Sequence, residues 1–213
     1  ALHRLRPGTA VSGRRLSRCD LPLDVGPTTS GQRRVGVMVA CALFAIALSG
    51  SLVTANRSKY NDEELWQQRS QQFATGLVTG DLNRLTAYDV NFDTTSVSIT
   101  MPGVPTLWVG SLVIIAECVS DTTPSSLRTC VERSTGPALP NVHRAMALLG
   151  AALVALLWLV SRRLLGTMTA LLACLLIATE PFLTALRTMF HTDSLVMSFS
   201  LIGFVAFCRA LGF

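Results

Sequence analysis

Carboxylates at two separate places are the side chains of this chain best suited to chemistry. Asp62 and Glu63 follow one long apolar run, and Asp193 directly precedes another. One such carboxylate could act as general base toward an acceptor hydroxyl. The other could hold a divalent metal that neutralises a phosphate leaving group. The competing interpretation is that Asp62 and Asp193 only cap the helices that follow them.

Basic side chains near these carboxylates are candidates to bind a phosphate group. Arg187 lies between Pro181 and Asp193, at the end of an apolar run where lipid phosphates are found. A guanidinium in that position could bind phosphate bidentately, or simply extend to a lipid headgroup. Arg69 is a second candidate for the same role, or pairs with nearby acids. His191 is a candidate partner of Asp193 at the possible metal site, although a turn histidine more often serves as a hydrogen-bonding residue.

The six cysteines show no spacing typical of a metal site. Cys118 and Cys130 are candidates for a disulfide that closes a loop, provided that this loop lies on the oxidising side of a membrane. The sequence demands no particular cofactor, and a divalent metal stays an open candidate.

Composition places the chain in a membrane. Half of its 213 residues are apolar and only 15% are charged, whereas soluble domains have about 25% charged residues. The net charge of +5 comes from basic residues in short clusters beside apolar runs. Such clusters are typical of topology signals rather than of a nucleic-acid surface, so nucleic acid is excluded as a partner and membrane lipids are expected.

The pattern of apolar runs predicts an all-α, polytopic transmembrane protein. Residues 1–34 form a basic cytoplasmic tail that we expect to be disordered, and residues 35–213 form the membrane domain. The predicted spans lie at about 35–55, 143–161, 164–185 and 194–213. Two further helices, at about 61–79 and 104–119, are predicted to lie on or partly within the membrane surface.

The segment 104–119 decides the topology. If it crosses the membrane, Arg162 and Arg163 face outside and Asp193 faces the cytoplasm. If it does not cross, those arginines are cytoplasmic and Asp193 lies outside, on the same side as Asp62. The positive-inside rule favours the second alternative and a cytoplasmic N-terminus.

The ordered motifs resemble a known family. They are Asp62-Glu63-Glu64-Leu65-Trp66-Gln67-Gln68-Arg69-Ser70, Gly80-Asp81, Pro102-Gly103-Val104-Pro105-Thr106-Leu107-Trp108, Arg162-Arg163-Leu164-Leu165-Gly166, and Pro181 with Arg187 and Asp193. This set resembles the N-terminal part of the GT-C membrane glycosyltransferases, which include protein O-mannosyltransferases and lipid A aminoarabinose transferases.

The resemblance implies transfer of a hexosyl or pentosyl group from a polyprenyl-phosphate donor to a protein or lipid acceptor. The reaction would be inverting and would take place on the non-cytoplasmic side of the plasma, inner or endoplasmic reticulum membrane. By resemblance, Asp62 corresponds to the acidic residue of the first outer loop that is implicated in catalysis, and Asp193 corresponds to the acidic residue of the second outer loop. Arg187 matches the arginine that precedes the latter.

The chain departs from the family in three respects, one of which is a loop from Ser120 to Asn141 that is long for the family. Met101 stands where a histidine often precedes the outer-loop proline, and the family has many more spans than this chain. We therefore expect an N-terminal fragment that is inactive alone. The alternative is a non-catalytic membrane scaffold or assembly subunit, whose acids are helix caps. A small transporter is less favoured, because no predicted span carries an ionisable residue near its middle.

Overall fold

Helices dominate the computed structural model, which describes residues 30–55, 63–81, 89–92, 95–98, 105–121 and 126–212. The helices are α1 (Ser30–Thr54), α2 (Glu63–Thr79), α3 (Pro105–Ser120), α4 (Leu127–Arg133), α5 (Leu139–Ser161), α6 (Thr167–Thr179), α7 (Pro181–Thr188) and α8 (Thr192–Ala210). A short antiparallel hairpin, β1 (Asp89–Phe92) and β2 (Thr95–Ser98), pairs Asp89 with Ser98. The predicted all-α class is confirmed, and the hairpin is a small addition to it.

Three of the described helices are long and apolar enough to cross a membrane: α1, α5 and α8. Helices α6 and α7 together have the composition of a fourth span, but they meet at a bend of 65°. The chain is thus an integral membrane protein with several spans. The helix α3 is apolar but shorter than these spans.

The predicted continuous span at 164–185 starts later than expected and is bent near its other end. Gly166 has a φ of +78°, a left-handed conformation that glycine adopts without strain, and α6 begins only after it. At the other end, Pro181 starts α7 and cannot donate a backbone hydrogen bond to α6. The Glu180 carboxylate accepts a 2.6 Å hydrogen bond from the Leu183 N–H and so caps α7.

Helices α1 and α5 run antiparallel and form the centre of the bundle. Near one end, Gly36 of α1 contacts the Arg162 guanidinium that follows α5. Near the other, the Ala55 carbonyl that follows α1 lies 2.7 Å from His143 Nδ1 of α5. Small side chains, Ala47 and Ala151 among them, are buried in the core between the helices and permit close packing.

The antiparallel packing separates charges between two ends of the bundle. Arg33, Arg34, Arg162 and Arg163 lie at what we call the basic end. Helix α8 begins beside Glu63, at the opposite end, and its Val205 packs into the core that includes Trp158. We call the end with Glu63 and the start of α8 the acidic end.

Helix α3 packs with α2 and α4 at the acidic end. The Ser111 hydroxyl donates a 2.9 Å hydrogen bond to the Ser70 carbonyl of α2. The Glu117 carboxylate accepts a 2.7 Å hydrogen bond from Asn141, in the first turn of α5. Both arginine pairs lie at the basic end and α3 lies at the acidic end. This arrangement is the one expected if the segment 104–119 does not cross the membrane. A disulfide between Cys118 and Cys130 joins α3 to α4.

Candidate active site at the acidic end

Glu63, the first residue of α2, is the centre of a buried polar network. Its side chain is only 2% exposed. One oxygen, Oε1, lies 2.8 Å from Nε2 of His143 and accepts a 3.1 Å hydrogen bond from the backbone N–H of Phe190. A carboxylate at the N-terminus of a helix is also favoured by the helix dipole. Glu63 thus holds the start of α2 against α5 and against the turn between α7 and α8.

His143 connects this network to the end of α1. Its Nδ1 faces the Ala55 carbonyl, which can only accept, so the proton must lie on Nδ1. The opposite nitrogen and Glu63 Oε1 then share one further proton. No role is predicted for His143 from the sequence. The signal that could have found it is an imidazole within the first turns of a long apolar helix, where a polar side chain needs a partner.

Trp66 brings the predicted residues Arg69 and His191 to one place. The Arg69 guanidinium lies over the indole, with Cζ 5.0 Å from the ring centroid. The His191 ring meets the same indole edge-on, at a centroid distance of 5.8 Å. Arg69, which follows Asp62 and Glu63, and His191, which precedes Asp193, are therefore neighbours. The non-crossing topology requires the two segments to lie on the same side.

His191 rather than Asp193 provides the cap of α8. His191 Nδ1 accepts a 3.2 Å hydrogen bond from the Asp193 N–H and lies 3.4 Å from the Asp193 carboxylate. The Asp193 side chain is 78% exposed, so its carboxylate is accessible to a ligand. Among the described residues, no group of three or more His, Cys, Asp or Glu side chains could hold a metal ion.

Arg187 is buried in the bend between α6 and α7, with 4% of its surface exposed. Its Nη1 and Nη2 donate hydrogen bonds to the carbonyls of Ile177 (2.7 Å) and Ala178 (2.8 Å). The carbonyl of Ile177 would normally accept from residue 181, which is a proline without an N–H. The guanidinium also donates to the hydroxyls of Thr184 and Ser51, at 2.9 and 3.3 Å. It therefore replaces backbone bonds lost at the bend, and its predicted contact with phosphate stays a prediction.

Asp62, the predicted catalytic base, lies outside the described residues. Its neighbour Glu63 begins α2 and is fixed by the network above. Glu63 is buried, and its Oε1 is bound by His143 and by the Phe190 N–H. Its role as a catalytic carboxylate therefore stays a prediction.

The comparison with protein families supports the resemblance found in the sequence. Residues 139–212 match the family described as dolichyl-phosphate-mannose-protein mannosyltransferase. The match covers α5 to α8, about a third of the chain. No match was found among curated proteins or among solved structures. The segment that carries His143, Arg187, His191 and Asp193 is thus similar to this mannosyltransferase family, and the resemblance to GT-C glycosyltransferases is confirmed there.

Proposed function

We propose that this chain is part of a glycosyltransferase that uses a polyprenyl-phosphate-linked sugar as donor and a protein or lipid as acceptor. The observation that carries the proposal is the Glu63 network. It fixes the start of α2, next to Asp62, against two parts of the segment that is similar to mannosyltransferases. A catalytic carboxylate beside such an anchor would be held in place for reaction.

The proposed site faces the non-cytoplasmic side of the membrane. The basic end contains Arg33, Arg34, Arg162 and Arg163, and clusters of this kind stay in the cytoplasm. The acidic end carries the Cys118–Cys130 disulfide, which is typical of an oxidising compartment. Both considerations support the same orientation, with the N-terminus in the cytoplasm.

In the proposed reaction, Asp62 takes the proton of an acceptor hydroxyl. The oxygen attacks the anomeric carbon of the sugar from the face opposite the carrier, which inverts the configuration. A C–O bond forms to the acceptor while the C–O bond to phosphate breaks, and the polyprenyl phosphate leaves with the bonding electrons. Glu63 acts in this proposal as a positioning residue, because its carboxylate is buried and already bound.

Arg69 and Arg187 are our candidates to bind the donor phosphate. For Arg187 this contact requires phosphate oxygens to replace carbonyl or hydroxyl acceptors that it now binds. The exposed Asp193 and the adjacent His191 are candidates to bind a divalent metal together with donor oxygens, since two side chains alone form an incomplete coordination shell.

The substitution Asp62→Asn tests the proposal in the membrane enzyme that contains this chain. We expect loss of sugar transfer from a polyprenyl-phosphate donor, measured with membranes containing equal amounts of folded protein. Glu64→Gln is the matched control, because Glu64 is an exposed carboxylate in the same turn. Unchanged transfer by Asp62→Asn would remove Asp62 from the mechanism. Absence of transfer in the unsubstituted enzyme would favour the scaffold alternative.

A further inference from the structure

A cavity of about 810 Å³ opens at the basic end, between the start of α1 and the end of α5. Three arginines line it: Arg33, Arg162 and Arg163. None of the ion pairs among the described residues includes any of them. Three cations around one cavity repel each other unless an anion is present, so the described part of this site favours a negatively charged ligand.

The position of Arg162 depends on a glycine. Its guanidinium lies against Gly36 so closely that a Cβ at residue 36 would collide with Nη1. On its other side the guanidinium stacks on Trp158, with Cζ 4.8 Å from the ring centroid. The cation is thus held in the groove between α1 and α5, over the cavity, instead of extending freely into solvent.

The walls of the cavity are suited to an amphipathic ligand. Val35, Val39 and Trp158 line it together with the arginines, and both helices are candidate membrane spans. The Trp158 indole Nε1 is buried and has no hydrogen-bond acceptor among the described residues. An anion with an apolar portion would match both the arginines and the valines.

We propose that this cavity binds the headgroup of an anionic glycerophospholipid. The arginines would bind the phosphate oxygens, and the upper part of an acyl chain would lie against Val35 and Val39. Basic cavities between spans at the cytoplasmic surface are suited to such headgroups. The site lies at the end of the bundle opposite the Glu63 network and is independent of the sugar-transfer proposal.

A displacement experiment tests this assignment. The protein containing this chain is purified in detergent and loaded with a fluorescent phosphatidylglycerol. We expect unlabelled phosphatidylglycerol to displace the probe, and phosphatidylcholine or inorganic phosphate to fail at tenfold excess. Displacement by phosphatidylcholine at tenfold excess would overturn the role of charge. Displacement by inorganic phosphate would overturn the lipid assignment in favour of a free anion.

Two substitutions separate a defined site from general positive charge. Arg162→Gln is expected to weaken phosphatidylglycerol binding at least about fivefold. The matched control is Arg209→Gln, in the last turn of α8, which removes the same charge from a residue that does not line this cavity. Equal losses in the two variants would overturn the proposal.

Gly36→Ala provides a second variant that keeps every charge. The clash at residue 36 involves the far end of a flexible side chain, so the protein should fold with Arg162 displaced from the groove. We expect binding to weaken at least about twofold, since the displaced guanidinium loses part of its attraction to the headgroup. Unchanged binding in this variant would overturn the role of the groove.

Discussion

The Glu63 carboxylate and the His143 imidazole form a buried pair between residues 80 positions apart. Each also binds a backbone group, Phe190 N–H for Glu63 and the Ala55 carbonyl for His143. Breaking a buried pair by removing one partner is costly, because the other is left without compensation. The pair therefore stabilises the acidic end of the bundle.

Replacing His143 tests this pair. His143→Leu should destabilise the protein by about 3 kcal/mol, measured as a lower midpoint of thermal unfolding in detergent. Arg144→Leu is the control, since Arg144 is exposed on the same turn of α5. A double-mutant cycle with Glu63→Gln should give a coupling of about 1–3 kcal/mol. Additive losses would show that the two side chains do not act as a pair.

Sequence reasoning identified only one half of this pair. Glu63 was recognised because acids beside an apolar run need a reason to be there. His143 was missed because its role arises from the antiparallel packing of α1 and α5, which no local pattern shows. Arg187 was recognised, but its four protein acceptors became visible only with the bend, because they come from α1, α6 and α7.

The bend between α6 and α7 combines a proline, a capping glutamate and a buried arginine. Pro181 removes one backbone donor, Glu180 caps the new helix, and Arg187 binds the carbonyls at the end of α6. The side chain of Arg187 also packs on Gly150 of α5, where a Cβ would lie 3.0 Å from its Cδ. The sequence predicts an apolar span here. The single proline is insufficient to predict the bend, because the Glu180 cap, the Arg187 hydrogen bonds and the packing on Gly150 arise only in the folded structure.

Arg187→Gln should destabilise this element by about 3 kcal/mol, because buried carbonyls lose charged donors. Thermal unfolding in detergent measures the loss. Part of it should be recovered by adding Pro181→Ala, which restores a backbone N–H that can bind the Ile177 carbonyl. Pro181→Ala alone, with Arg187 present, is the control. If the double variant is no more stable than Arg187→Gln, then the backbone N–H restored at residue 181 does not replace the guanidinium of Arg187 as donor to the Ile177 carbonyl.

The molecule as a whole has its arginine pairs at one end and its carboxylate network and disulfide at the other. The positive-inside rule predicts this polarity from the sequence, because arginines at span ends act through a general property of membranes. The contacts among α2, α3 and α4 were not predictable, since three short helices can pack on a surface in many ways.

The proposed orientation predicts opposite labelling of the two ends. Single cysteines introduced as Arg163→Cys and Asp193→Cys should react with a membrane-impermeant maleimide from the cytoplasmic and the non-cytoplasmic side, respectively. The starting protein should have Cys19, Cys41, Cys174 and Cys208 replaced by alanine, so that the remaining native cysteines, Cys118 and Cys130, are joined in the disulfide. The reverse pattern, with the cysteine at position 163 labelled from the non-cytoplasmic side and that at position 193 from the cytoplasmic side, would contradict the non-crossing arrangement of α3.

The disulfide at the acidic end should contribute to stability through its short loop. Cys118 and Cys130 are separated by 12 positions, and closing a loop of this size stabilises a protein by about 2–3 kcal/mol. Replacing both cysteines by serine should lower the unfolding midpoint accordingly. Replacing Cys208 by serine is the control. An unchanged midpoint for the double variant would show that packing of α3 on α4 is sufficient.

The long sequence separations within the Glu63 network impose an order on biosynthesis. Glu63 leaves the ribosome well before His143, and 127 positions before Phe190. The start of α2 therefore cannot reach its final position until α5 and the turn after α7 have been inserted. Assembly of this network at the acidic end is therefore completed only when Phe190 has been made.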